Sequence, residues 1–425
     1  MLDIKKIRQD PETVREALRK RNYSFDLDRF LALDEQRRAM LAKIEERKAA
    51  RNTIDAEMKQ LLKAKQDPAA KIEEGKRLKQ EIAGLEKEYN AKEDEWTGML
   101  IRLPNIPHES LPAGGAEANK ILCEEGKIPQ FDFAPADHVT LAEKLDVIDF
   151  SRAAKLAGSN FVLFKGAGAR LERALLNFML DVHTCEHGYR EIFPPVLVNR
   201  DSMFATGQLP NLEEDMYRMP EDDLFLIPTA EVPVTNIHRG EILAPETLPR
   251  YYCAYTSCFR REAGSYGKET RGLMRVHQFD KVELVKFVKP ENSYEELESL
   301  LAHACKILEL LKIPYRVVLL ATGDISFAAA KCYDIEIYAP GSKKWLEVSS
   351  CSNFEDFQAR RGSIRYRDSE SGKPRYVHTL NGSGVALARL VIALLEIYQQ
   401  ADGTVLIPEP LRPYMRGQER IVPEV

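Results

Sequence analysis

Between residues 258 and 283 lies the densest group of side chains suited to handling a nucleotide. Cys258-Phe259-Arg260-Arg261-Glu262 is followed by a polar loop over 263–274. Arg275-Val276-His277-Gln278-Phe279-Asp280-Lys281-Val282-Glu283 comes next. Side chains alternate faces along a strand. Arg260 and Glu262 are therefore expected on one face of a first strand, and Arg275, Phe279 and Glu283 on one face of a second. Joined as a hairpin, the two strands offer one surface carrying two arginines, a flat ring and two carboxylates. Arginine clamps phosphate oxygens as charge builds on them. A ring stacks on adenine, and a carboxylate accepts from the base amino group or a substrate ammonium. The solvent face of an ordinary hairpin has the same local pattern, so spacing alone leaves both readings open.

The elements around this group read as mixed α and β from about residue 131. Alternating runs predict strands over 192–198, 251–261, 276–288, 316–320, 333–338 and 345–349. Ser293-Tyr294-Glu295-Glu296 has the pattern of a capping box opening an amphipathic helix that runs to about Leu311. Hairpin spacing rather than strict β-α-β alternation predicts an α+β fold, with helices packed on an antiparallel sheet.

The first quarter is different. From Leu33, apolar residues follow a 4-3 spacing through Met40, Ile44, Ile54, Met58 and Leu61, with Arg37, Arg47 and Arg51 at the other seam places. After Asp67-Pro68 the spacing resumes at Leu78, Ile82, Leu85, Tyr89, Trp96, Met99 and Leu103, with Lys92 in one place. Two heptad segments across a proline-marked break predict an antiparallel coiled-coil arm, each half about 55 Å long at the helical rise. Residues 37–79 hold 13 Lys/Arg against 7 Asp/Glu, inside a chain of net charge −5. This excess fits a solvated coiled-coil surface and equally a segment lying along a phosphate backbone. Leu103-Pro104-Asn105-Ile106-Pro107 ends the arm. The expected organisation is a helical domain over 1–104, a linker over 105–130 and a catalytic domain over 131–425.

Composition excludes several classes. At 44% hydrophobic and 30% charged residues over 425 positions, the chain suits a globular enzyme of more than one domain. The slight net acidity confines nucleic-acid contact to a local patch. Seven scattered cysteines without a C-x-x-C pair point to reduced thiols in a cytoplasm. No signal peptide is legible at Met1-Leu2-Asp3-Ile4-Lys5. The apolar run 385–398 is too short for a membrane span and contains Arg389 and Glu396. His183-x-x-x-His187 with Cys185 has a helical ligand spacing, but no zinc is expected. Gly166-Ala167-Gly168 lacks the Gly-Lys-Ser/Thr of a phosphate loop.

Three segments together resemble the class II aminoacyl-tRNA synthetases. Phe259-Arg260-Arg261-Glu262 with Arg275-x-x-x-Phe279 is similar to their motif 2. Gly188-Tyr189-Arg190-Glu191-Ile192-Phe193-Pro194-Pro195 resembles motif 1, and Asn381-Gly382-Ser383-Gly384-Val385-Ala386-Leu387-Ala388-Arg389 resembles motif 3. Thr229-Ala230-Glu231, Glu347-Val348-Ser349-Ser350 and the long arm resemble the bacterial-type seryl-tRNA synthetases within that class. The likeness covers nearly the whole chain.

That resemblance implies activation of L-serine with ATP and Mg²⁺, and transfer to tRNA(Ser), with tRNA(Sec) as a further substrate. It implies a homodimer formed through motif 1 and a tRNA-binding arm. Arg260 would hold the α-phosphate and the serine carboxylate, Glu262 the adenine amino group and Phe279 the adenine face. Arg275 and Arg389 would hold the outer phosphates, completing the catalytic set Arg260, Glu262, Arg275 and Arg389. Arg261, Val348 and Ser349 would join the ATP site, and Glu347 and Ser350 would ligate Mg²⁺. Thr229, Ala230, Glu231, Arg260, Glu283 and Ser383 would form the serine pocket. Strand alternation sets Glu347 and Ser350 on opposite faces, so a shared metal requires an irregular strand. Rival readings are a relative that passes an activated small amino acid to a carrier protein, a non-catalytic RNA-binding coiled coil, and a sibling specificity such as threonine or proline.

Overall fold

The computed structural model describes residues 1–263 and 271–423; most of the polar loop read between 263 and 274 lies outside them. One compact unit holds Leu2–Arg19 and Tyr23–Leu103. The other holds Met1, Lys20–Asn22 and Pro104–Val425.

The smaller unit begins with α1 (Ile4–Gln9) and α2 (Pro11–Lys20), the second opening with proline in its first turn. The arm is α3 (Leu27–Lys63) and α4 (Ala69–Leu100). Asp26 caps α3 by accepting from the Arg29 N–H at 2.9 Å. Ile44, Ile54, Leu78, Ile82 and Trp96 are buried along the seam, where the 4-3 spacing placed them. Arg37 lies 4.0 Å over the Trp96 ring and pairs with Glu93 at 2.7 Å. Further out, Arg47–Glu81 at 2.9 Å and Lys48–Glu86 at 2.7 Å join the two helices. Exposed pairs of this kind add little stability; their value is in fixing which residues face each other.

The larger unit is built on eight strands: β1 (Lys120–Glu125), β2 (Arg190–Ile192), β3 (Arg250–Phe259), β4 (Gln278–Val288), β5 (Tyr315–Leu319), β6 (Lys331–Ala339), β7 (Lys344–Asn353) and β8 (His378–Ala386). They form one sheet in the order β1-β5-β6-β7-β8-β4-β3-β2, antiparallel except where β2 meets β3. Helices α5 (Gly166–Cys185), α7 (Ser293–Leu310) and α9 (Leu387–Ile397) pack on the sheet, and the short α6 (Glu231–Asn236) and α8 (Phe357–Gly362) lie beside β4 and β8. Val282 and Leu284 of β4 are fully buried on one face, whereas Lys281 and Glu283 point from the other face into a cavity. Val285 and Phe287, on the cavity face of the same strand, pack with Ala230, Val234 and Ala359, which seats α6 and α8 beside the cavity.

The structure differs from the sequence reading in several places. Residues 120–125, read as linker, form the edge strand β1. The strand read over 192–198 stops at Ile192, because Pro194 and Pro195 have no N–H for a ladder, and a separate short strand begins at Leu197. The capping box does not form. Ser293 bonds His378 at 2.8 Å, and Glu296 accepts from Lys286 at 2.8 Å and Tyr251 at 2.6 Å.

Candidate active site

A cavity of about 540 Å³ opens on the sheet, and Arg260, Glu262, Arg275, Phe279 and Glu283 all line it. Their route into it differs from simple alternation. β3 ends at Phe259, and Glu262 takes a left-handed backbone with φ 53°, a conformation uncommon for a residue with a Cβ. The Arg260 N–H donates to the His277 carbonyl at 2.9 Å, tying the strand end to the segment before β4. The Arg260 guanidinium lies 5.2 Å over the Phe279 ring and donates to the Pro228 carbonyl at 3.3 Å. Glu262 accepts from Arg275.

Glu347, Val348, Ser350 and Arg389 line the same cavity. Glu347 pairs with Glu336 and Ser349 with Ile335, so Val348 is an extra residue in β7. This bulge resets the alternation and brings Glu347 and Ser350 to one cavity in spite of their odd spacing. Arg389 donates to the Glu347 carbonyl at 2.6 Å, and its guanidinium stands 3.7 Å from the Glu347 carboxylate. Asp334, opposite Ser350 in the ladder, also lines the cavity. Burial, and then the charge of Glu347, raise the Asp334 carboxyl above the ordinary range.

Further along β4, the lining around Glu283 is a network of polar side chains. Thr229 donates to Glu283 at 3.1 Å, Asn381 donates to the other oxygen of Glu283 at 3.0 Å, and Lys281 donates to Thr229 at 2.9 Å while pairing with Glu283. Glu231 accepts from the Gln358 amide at 2.6 Å. Burial, and then the neighbouring Glu283, push its carboxyl up to about 7. Ser383, opposite Glu283 in the ladder, also lines the cavity, and its carbonyl accepts from Ser349 at 2.7 Å.

Arg261, Ala230 and Ser349 do not line the cavity. Arg261 is exposed and holds the Asp215 carbonyl through its N–H at 2.9 Å, while Ala230 and Ser349 are buried behind the wall. Lys281, Asn381 and Asp334 also line the cavity, and Gln358 supports it from behind through Glu231. Lys281 stands two residues from Glu283 and Asn381 two from Ser383 on the same strand, so alternation alone places them on the cavity face. Gln358 and Asp334 carry no comparable signal, since strand pairing and the approach of α8 bring them in.

An antiparallel sheet with this cavity and three ordered motifs defines a class II synthetase core. Residues 214–398 match the tRNA synthetase class II core domain (G, H, P, S and T), and residues 1–107 match the seryl-tRNA synthetase N-terminal domain. Serine–tRNA ligases of Carboxydothermus hydrogenoformans and Thermodesulfovibrio yellowstonii are each 54% identical to the chain. The first match covers 99% of both chains, the second 98% of this chain and 99% of the relative. The seryl-tRNA synthetase of Pyrococcus horikoshii, solved with ATP, superposes with a TM-score of 0.92 at 38% identity over 100% of both chains. The cytoplasmic enzyme of Naegleria fowleri, solved with AMP, gives 0.88 at 28% identity, covering 100% of this chain and 99% of that one. The chain belongs to the seryl-tRNA synthetase family. No helix among the described residues is long and apolar enough to cross a membrane.

Proposed function

We propose that the chain is a serine–tRNA ligase, which joins L-serine to the α-phosphate of ATP and passes the seryl group to the 3′ end of tRNA(Ser). The observation that carries this reading is one cavity that brings Arg260, resting over Phe279, together with the buried carboxylates Glu231 and Glu283. The serine carboxylate is ionised at neutral pH and attacks without a general base. Catalysis is then positioning and charge stabilisation. Adenine lies on Phe279 with its amino group at Glu262, Arg260 holds the α-phosphate against the carboxylate, and Arg275 and Arg389 hold the outer phosphates. The raised proton affinity of Glu231 marks a place where a cation is wanted, which fits the serine ammonium. The substrate hydroxyl would meet Ser383 and the Glu283 network. A site built on such a hydroxyl rejects alanine by about 10⁴-fold, because its own polar groups would otherwise go unpaired.

Glu347 and Ser350, with Asp334 beside them, offer the hard oxygen donors that Mg²⁺ takes. No group of three His, Cys, Asp or Glu ligands exists among the described residues, so such an ion would complete its shell with phosphate oxygens and water. Bound there, Mg²⁺ would withdraw charge from the leaving pyrophosphate. Phe193 of motif 1 is 82% exposed and Leu197, just past it, 40%, which supports a homodimer through the motif 1 region. The seven cysteines are free, in keeping with a reducing cytoplasm. The basic arm supports tRNA binding over transfer to a carrier protein. ATP–pyrophosphate exchange across a panel of amino acids, followed by charging of tRNA(Ser) and tRNA(Sec) transcripts, tests the proposal. Serine should dominate the exchange and tRNA(Ser) should be charged. Exchange driven by threonine or proline, or serine transfer only to a carrier, would overturn it.

A further inference from the structure

His183 stands in the last turn of α5 and is wholly buried. It touches the back of β8, on the side of the sheet away from the cavity. In that strand Ser383 pairs with Glu283 and Val385 with Val282, leaving Gly384 as an extra residue. A bulge takes backbone groups out of the ladder, and buried carbonyls need other donors. Two side chains supply them. Ser349 donates to the Ser383 carbonyl at 2.7 Å, and His183 Nε2 meets the Gly384 carbonyl at 3.3 Å. A Cβ at Gly384 would lie 2.7 Å from His183 Nε2, so this close approach requires glycine.

We infer that His183 is a positioning residue for the serine pocket: its hydrogen bond to the Gly384 carbonyl fixes the bulge that aims Ser383 into the cavity. The inference rests on the proposed serine site. Because a carbonyl only accepts, Nε2 carries the hydrogen and Nδ1 must accept. The His187 Nδ1, 3.0 Å away, then donates. Burial, with His187 and His303 nearby, pushes the His183 imidazole down to about 3, which keeps this neutral arrangement across the working range. His303 stacks on His187 at 4.2 Å and meets the Tyr189 hydroxyl at 3.2 Å, holding the relay in place. A helix that ends just before motif 1 is thereby coupled to the substrate-hydroxyl end of the cavity.

The test is serine-dependent pyrophosphate exchange by the full chain and by His183→Leu, His183→Gln and His183→Asn, with melting curves for each. His183→Leu should raise the KM for serine about tenfold, the worth of one buried hydrogen bond, with the KM for ATP unchanged. Glutamine carries an amide that reaches the Gly384 carbonyl and should restore most of the loss; the shorter asparagine should not. Should the leucine variant fail to fold, the comparison of glutamine with asparagine decides. An unchanged serine KM, a parallel rise for ATP and serine, or glutamine no better than asparagine would overturn the inference. A parent chain inactive with serine would instead overturn the functional proposal.

Discussion

Glu347 and Ser350 stand three residues apart in one strand and line the same cavity, because Val348 has no partner of its own opposite Ile335 and Glu336. If this pair holds Mg²⁺, removing one ligand should be felt as a metal requirement before it is felt as lost binding of serine. Glu347→Ala is expected to slow adenylate formation about 10²-fold or more, and Ser350→Ala to raise the Mg²⁺ concentration for half-maximal exchange. Exchange rates titrated with MgCl₂ give the answer. A Ser350→Ala curve lying on that of the parent chain would remove Ser350 from the metal site.

Arg260 has no carboxylate partner among its described contacts. It rests over Phe279 at 5.2 Å and on the Pro228 carbonyl, so its charge is available to a phosphate. Arg260→Ala should therefore abolish pyrophosphate exchange, a loss of about 10³-fold or more, while leaving the melting temperature near that of the parent. Arg260→Lys should recover little, since a point charge cannot reproduce a planar bidentate clamp. Near-normal exchange by the alanine variant would refute the assigned role.

Much of this site was legible from residue types, and the limits of that legibility are physical. The heptad seam could be read because Ile44, Ile54, Leu78 and Ile82 repeat on a period that only a helical pair buries. The faces of β4 could be read because Glu283 alternates with Val282 and Leu284. The turn at Glu262 and the bulges at Val348 and Gly384 could not, since each depends on the register of a neighbouring strand, which no local pattern encodes. β1 escaped for another reason. All six of its residues are exposed, so it lacks the alternation that marks a half-buried strand.

The arm offers a test that leaves the cavity intact. Replacing residues 43–85 by a short glycine linker removes the outer basic stretch and the Arg47–Glu81 pair but keeps Arg37–Glu93 and the Phe30–Trp96 stack. Serine-dependent exchange should be unchanged. Charging of tRNA(Ser) should fall about 10²-fold or more in kcat/KM, and the affinity that remains should depend less steeply on salt, since fewer phosphates are neutralised. Equal losses in exchange and charging would mean that the deletion damages the core.

Glu231 sets function against stability. Its carboxyl is pushed up from 4.5 to about 7 by burial and by Glu283, so the folded chain binds this proton more tightly than the unfolded chain. Stability therefore depends on pH through this one proton. Below pH 4.5 both states are protonated and nothing is lost; stability then falls as the pH rises through 7 and levels off above it. Full ionisation costs the empty site about 3 kcal/mol. Glu231→Gln keeps a neutral side chain of the same shape, and so should melt at a higher temperature than the parent at pH 8 and at about the same temperature at pH 5. Serine affinity should move the other way. The parent should bind serine more weakly as the pH drops below 7, when the carboxylate that pairs with the ammonium is lost, and Glu231→Gln should bind weakly at every pH. Melting curves and serine KM values at pH 5 to 8 check both halves. A glutamine variant that is no more stable at pH 8, or a serine KM flat across the range in the parent chain, would show that Glu231 is not the ionising partner of the substrate.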